Sequence, residues 1–142
     1  MYKIREAKLE DFSEIARIHD NPVNDHLSNR QVNLDKALFV QIIEDEIGKI
    51  YLVEKSGSVV GFVLFYINLS KRTLYIDRFS ICKDYQKKGI DEHLYQKVKQ
   101  FADRNKLEKM ETQITTANPI VLTFFDEKGW KKIEPFRYNK NL

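Results

Sequence analysis

The chain has 142 residues with 24 basic and 21 acidic side chains, a net charge of +3, so residues 1–142 are read as a single domain with room for a buried sheet. So small a basic excess, with no concentrated basic face, argues against a nucleic-acid partner. Cys82 is the only cysteine, which excludes an internal disulfide and a cysteine-based metal cluster, and no metal site is expected.

Residues 1–5 lack the apolar run of a leader and no stretch approaches the length of a membrane span, so a cytoplasmic protein with no membrane partner is expected. Residues 2–5 alternate at period two and predict a first strand; residues 10–19, with Leu9, Phe12, Ile15, Ala16 and Ile18 at helical spacing, predict a first helix ended by Asn21 and Pro22. Residues 24–35 are polar and read as a surface loop, in which His26 is taken as solvated. Leu34, Leu38, Phe39, Ile42, Ile43 and Ile47 predict a second helix, with Asp35 near its N-terminus and Gly48 as its C-cap.

Residues 50–55 and 59–67 are β-rich runs separated by Ser56, Gly57 and Ser58, a hairpin signal. The second run is apolar on both faces, as a central strand would be, and Gly61 inside it marks a bulge or a close approach of backbone. Residues 73–81 complete an antiparallel meander. Leu94, Val98, Phe101 and Ala102 give a long helix closed by Asn105, and residues 110–115 form the next strand. Asn118 and Pro119 form a helix start in which Asn caps and Pro sacrifices no needed N–H. Val121, Leu122, Phe124 and Phe125 are apolar enough for core, Gly129 ends the helix, and residues 130–138 supply one or two final strands, the last abbreviated.

The turn between the meander and the long helix carries the strongest chemical signal. Lys87, Lys88 and Gly89 lie where a strand runs into a helix, and the unpaired amides of a helix start, backed by its dipole, suit a phosphate. Gly89 has the backbone freedom to let several amides converge. Many strand-to-helix turns with Gly and Lys bind nothing, and both readings stand on these residues alone.

Residues 84–90, Asp84-Tyr85-Gln86-Lys87-Lys88-Gly89-Ile90, resemble the acyl-CoA pyrophosphate loop of the GNAT superfamily of N-acetyltransferases. Asn118, Phe125, Gly129 and Trp130 fall at the spacing of that family's Asn…Tyr…Gly-Phe segment. Two positions depart from the pattern: Asp91 stands where the family has a residue with almost no side chain, and Phe125 where it has Tyr.

The resemblance implies an α/β fold, a central mixed but mostly antiparallel twisted sheet flanked by about four helices. It implies acetyl-CoA as co-substrate and an amine acceptor, selected by the segment within residues 24–35. It places the pyrophosphate on Gln86, Lys87, Lys88, Gly89, Ile90 and Asp91, the pantetheine arm along the backbone of Phe79 and Ile81 as an added strand, and further contacts at Asn118 and Phe125. Asp77, put on the face of Phe79 and Ile81 by strand alternation, is the candidate general base, with an ion pair to a neighbouring cation as the alternative. Tyr138, with Tyr85, is a candidate replacement for the missing tyrosine acid. Cys82 reads as an inert small residue at a strand end. A binding module of the same fold, acting through acyl-CoA or a protein partner, is the alternative function, and a homodimer is left open.

Overall fold

The computed structural model describes residues 2–28, 33–85, 88–116 and 118–142. In chain order the elements are β1 (Tyr2–Glu6), a 3-10 turn (Leu9–Asp11), α1 (Phe12–Asp20), β2 (Asp25–His26), α2 (Lys36–Asp45), β3 (Gly48–Lys55), β4 (Ser58–Asn68) and β5 (Thr73–Ile81). A second short turn (Lys83–Tyr85) then leads to α3 (Ile90–Arg104), β6 (Lys109–Gln113), α4 (Pro119–Glu127), β7 (Lys131–Glu134) and β8 (Arg137–Asn141). The strands form one sheet in the order β1-β3-β4-β5-β6-β8-β7, with β2 added on β5. Among the described residues only β5 and β6 run parallel, the crossover between them being α3, as a parallel pair requires. The sheet is therefore mixed and mostly antiparallel, with four helices among the described residues.

The centre of the sheet is apolar on both faces because both are covered. One face packs Val63, Phe65, Leu74, Ile76, Phe79 and Ile81 under α3 and α4, with Leu94, Val98, Val121 and Phe125 from the helices. The other packs Leu52, Phe62 and Leu64 under α1 and α2, through Ile15, Ile18, Phe39 and Ile42. Asp35 caps α2 by accepting from Ala37 N at 2.9 Å, and Asn118 caps α4 by accepting from Ile120 N, with Pro119 opening the helix.

Three expectations change. Gly48 does not cap α2: the helix closes at Asp45 with Glu46 in the left-handed region, and Gly48 opens β3. A Cβ on Gly48 would lie 2.1 Å from the Phe65 carbonyl oxygen, so close strand contact is what its missing side chain serves. Residues 24–28 are not a free surface loop, since two of them form β2 and Leu27 and Ser28 are buried. The alternation along β5 is also broken. Leu64 pairs with Arg78 but Phe65 pairs with Ile76, leaving Asp77 as the extra residue of a bulge. A second bulge, at Val60 between the Gly61–Val53 and Val59–Glu54 pairs, bears out the reading of Gly61, which the Ile81 Cδ1 methyl approaches closely.

Away from the bulges, β1 is tied to its neighbours by Arg5. Its guanidinium forks onto both Asp11 oxygens at 2.8 and 2.9 Å and also donates to Glu54 on β3. The paired guanidinium holds the Asp11 carboxyl below the usual carboxylate range, against a smaller opposing effect of burial. Hydrogen bonds to charged partners are worth about 1.5–3 kcal/mol, less at a site with Arg5 24% exposed. Arg5→Ala is expected to lower unfolding free energy by about 1–2 kcal/mol at neutral pH. Because the folded-state pKa of Asp11 is depressed, that contribution is present above its unfolded value, about 3.9, and is lost as pH falls through the folded one. Denaturant titrations of parent and variant should differ fully at pH 7 and converge in acid.

Phe125 is 1% exposed and lies edge-on to Trp130 at 5.1 Å and Phe124 at 5.3 Å between ring centroids. A hydroxyl added there enters an apolar, filled space. Phe125→Tyr should cost about 1–3 kcal/mol of stability, read by chemical denaturation. An unchanged midpoint would mean that the ring edge faces an open site.

Candidate functional site

The Asp77 bulge sets the geometry of the site. Upstream of it, β5 and β6 pair in register from Thr73 and Lys109 to Ile76 and Thr112; downstream no β6 residue is opposite β5. The two strands diverge, β5 remaining bonded to β4 through Ile81 while β6 turns with β8. The result is a wedge between parallel strands whose apex is Ile76 and Thr112, with Thr112 Oγ1 donating to the Ile76 carbonyl at 2.9 Å.

The open end of the wedge leads to the start of α3. Gly89 is the N-cap, with φ +79°, a conformation that costs a side-chain-bearing residue about 1–2 kcal/mol, and nothing lies within 4 Å of where a Cβ would sit. The amides of Ile90 and Asp91, in the first turn, have no acceptor within the helix. Asp91 Oδ1 accepts from Glu92 N at 2.8 Å, so its carboxylate caps its own helix and takes one of the donors an anion would otherwise meet. Lys88 is exposed. Gln86 and Lys87, also expected at this turn, lie outside the described residues.

Asn118 is half-buried at the far side of the wedge. A cavity of about 460 Å³ opens there between residues 22–28 and Thr115, Thr116, Asn118 and Val121. A second hollow of about 400 Å³ lies between Asp91 and the α4 residues Pro119, Ile120, Thr123 and Phe124. It is braced by Lys128, which pairs with Glu92 at 2.6 Å and lies 3.8 Å from the Phe124 ring centroid.

The wedge edge of β5, expected to be open at Phe79 and Ile81, is paired within the chain. Asp25 lies opposite Ile81 and His26 opposite Ser80 in antiparallel register, and Leu27 N donates to the Phe79 carbonyl at 2.7 Å. His26 is accordingly half-buried, its ring between Ser80 Oγ at 2.7 Å and the Asn21 carbonyl at 2.8 Å, and is not the solvated residue expected.

The two residues expected to handle protons do not meet. Asp77 and Arg78, both turned by the bulge toward the face of α1 and α2, pair at 3.0 Å, and Tyr66 OH lies 3.4 Å from Asp77 Oδ2. Phe79 and Ile81 point to the opposite face, which corrects the shared face expected for the three. Tyr138 is on that opposite face as well, packed against the α3 and α4 core beside Leu122 and Trp130 and two strands away from β5. Phe125 is in the same core and presents no surface.

Burial raises the Asp77 pKa, with the Arg78 charge and the Tyr66 hydrogen bond opposing it in that order. Tyr66 and Tyr75, paired neighbours on β4 and β5, also have raised pKa values, chiefly from burial and then from the Asp77 charge. They line, with Glu111 and Arg137, part of a cavity of about 1330 Å³. Neither tyrosine was singled out from sequence, where both read as ordinary strand residues; the bulge that puts Asp77 among them has no signal in residue type. Burial also pushes the Cys82 thiol up, which keeps it a poor nucleophile. Among the described residues, no cluster of His, Cys, Asp and Glu is placed to hold a metal ion, and no helix is long and apolar enough to cross a membrane.

The comparisons agree with this architecture. Residues 3–130 match the Acetyltransferase (GNAT) family. Ard1 from Thermoplasma volcanium superposes with a TM-score of 0.82 at 16% identity, covering 99% of this chain and 97% of that one. A GNAT-family acetyltransferase from Staphylococcus aureus gives 0.80 at 15%, over 100% and 99%. The PaiA N-acetyltransferase from Thermoplasma acidophilum, solved with coenzyme A, gives 0.78 at 12%, over 100% and 99%. With a family match across most of its length and a sheet that splits at the bulge beside a helix start, the chain belongs to the GNAT acetyltransferase family.

Proposed function

We propose that the protein is an N-acyltransferase that moves an acetyl group from acetyl-CoA to an amine. The observation that carries this is the wedge between β5 and β6 opening onto the left-handed Gly89 at the start of α3. An extended polar arm with a phosphate at one end needs strand-edge hydrogen bonds along its length and converging amides at its terminus. The phosphate end fits the residues present: first-turn amides at Ile90 and Asp91 that have no acceptor within the helix, an exposed Lys88 and open space at Gly89. The arm does not fit the β5 edge while residues 25–27 are paired there.

Acetyl-CoA supplies a thioester whose carbonyl carbon an amine nitrogen attacks; the C–N bond forms, the C–S bond breaks, and the thiolate leaves. The chain's part is to hold the reactants together and to take the amine's proton. Asp77 is the group proposed for that proton. Its carboxylate, made more basic by burial, is at the apex of the wedge on the face opposite the α3 core, and Arg78 keeps it oriented. No acid is assigned for the thiolate, since Tyr138 and Phe125 are both in the opposite core; a thiol pKa of about 8.5 lets the anion depart near neutral pH.

A second reading, a binding module of the same fold, is favoured by the self-capping Asp91 and by the absence of a hydroxyl at Phe125. Calorimetric titration with acetyl-CoA separates the two. Binding by the parent, with most of the affinity lost in folded Gly89→Val because a β-branched residue resists the positive φ, supports the transferase. Unchanged affinity in that variant would remove the turn from the site.

Asp77→Asn should lower kcat/KM in a CoA-release assay over an amine panel by about 10²–10⁴. The sign of the pH dependence follows from the raised pKa: activity falls as pH drops through a midpoint above the ordinary carboxylate range, and this acid limb disappears in the variant. A limb that persists in Asp77→Asn would assign the base elsewhere.

A further inference from the structure

Residues 25–28 fill the wedge between β5 and β6 from its apex outward. Ser28 is at the apex, 4% exposed, with its Oγ 2.8 Å from Thr112 Oγ1, 3.2 Å from the Ile76 carbonyl and 3.4 Å from the Asp77 and Gln113 carbonyls. It therefore bridges the two strands at the point where they part. Leu27 follows, 4% exposed, its N–H bonded to the Phe79 carbonyl and its side chain in the core under α3 and α4. His26 and Asp25 continue along Ser80 and Ile81. The segment thus runs antiparallel to β5 and uses the backbone edge that an incoming extended ligand would need.

We infer that residues 25–28 are a self-supplied strand that competes with the acyl donor for the β5 edge, so that acetyl-CoA binds only when this strand is displaced from the wedge. This rests on the proposed function and concerns the regulation of the same site. One edge carbonyl at Phe79 cannot keep its bond from Leu27 N and also serve a ligand lying in the same plane, and the Leu27 side chain occupies the space beneath it. Displacement exposes Leu27 and frees Ser28, so donor affinity is reduced by the fraction of molecules in which the strand is closed. Such a device links the donor site directly to α1, because Asn21 holds the His26 ring and the Asn24 amide holds the Ile18 carbonyl at 2.9 Å.

The test is a reversible lock. Because Leu27 and Phe79 form a hydrogen-bonded pair, His26 and Ser80 are the adjacent non-hydrogen-bonded pair, whose Cα atoms are close enough for a disulfide. His26→Cys/Ser80→Cys, in a Cys82→Ser background so that one pairing is available, is titrated with acetyl-CoA oxidised and reduced. The oxidised form is expected to bind at least tenfold more weakly than the reduced form. As an independent variant, Leu27→Ala, which removes the buried side chain and leaves the backbone, should bind more tightly than the parent. Equal affinity of the oxidised and reduced forms, or no gain in folded Leu27→Ala, overturns the inference while leaving the donor site standing. No acetyl-CoA binding by the parent, by Leu27→Ala or by the reduced form overturns the proposed function, and the inference with it.

Discussion

A buried strand edge must have its N–H and C=O groups paired, and the divergence of β5 from β6 at Asp77 creates such an edge in the middle of the sheet. Backbone polar groups left unpaired away from water cost as much as a lost hydrogen bond each, and several are involved between Asp77 and Ile81. Something has to lie along that edge. In this chain it is residues 25–27, with the Ser28 hydroxyl placed among the carbonyls and Thr112 Oγ1 at the apex. The same requirement makes the wedge attractive to an extended ligand, so the opening and its occupant have one physical origin. The bulge is also what turns Asp77 and Arg78 to the same side, and a single extra residue thereby opens the wedge and assigns the polar groups to one face.

The helix start at Gly89 obeys a related rule. Four amides at the beginning of α3, those of Gly89 to Glu92, have no carbonyl behind them within the helix; the first intrahelical bond is His93 N to the Gly89 carbonyl at 3.0 Å, and of the four, Glu92 N goes to the Asp91 carboxylate. A carboxylate in a first helical turn is stabilised by the dipole, typically by 0.3–1 kcal/mol. Asp91 therefore stabilises the helix with the same interaction that a phosphate would use. Its presence favours fold stability over anion affinity at this point, and Lys88 supplies charge of the opposite sign only from the exposed side.

The order of elements was legible in the sequence because it depends on period and punctuation. Alternation in residues 2–5, the helical stripes through Ile15 and Val98, the Ser-Gly-Ser turn and the Asn-Pro cap each state a local preference that tertiary packing did not overrule. Phe125 as core and Asn118 as cap were likewise local readings, complete without a ligand. What failed was whatever depended on partners distant in sequence. Gly48 looks like a cap because it follows a helix, yet its constraint comes from Phe65, on the neighbouring strand. Asp77 was placed by counting alternate residues, and a bulge at that point, unlike the one beside Gly61, has no residue to announce it and shifts the count. Residues 25–28 are polar enough to be loop, and only the orphaned β5 edge, unknowable before the strands are paired, makes them a strand.

The two faces of the sheet divide the chemistry accordingly. On the α3 and α4 side the wedge is lined by apolar residues, with Tyr138 and Phe125 packed into that core. On the other side burial raises the pKa values of Asp77, Tyr66 and Tyr75; the Asp77 charge adds to the rise of both tyrosines, while Arg78 opposes it in all three and the Tyr66 hydrogen bond opposes it for Asp77. For Asp77 burial outweighs the cation, so the carboxylate is shifted toward the range where a base is useful at neutral pH. Were the Arg78 interaction the larger, the pair would be a fixed ion pair of purely structural value. The balance depends on how dry the site is, since burial is the largest of the effects acting on Asp77.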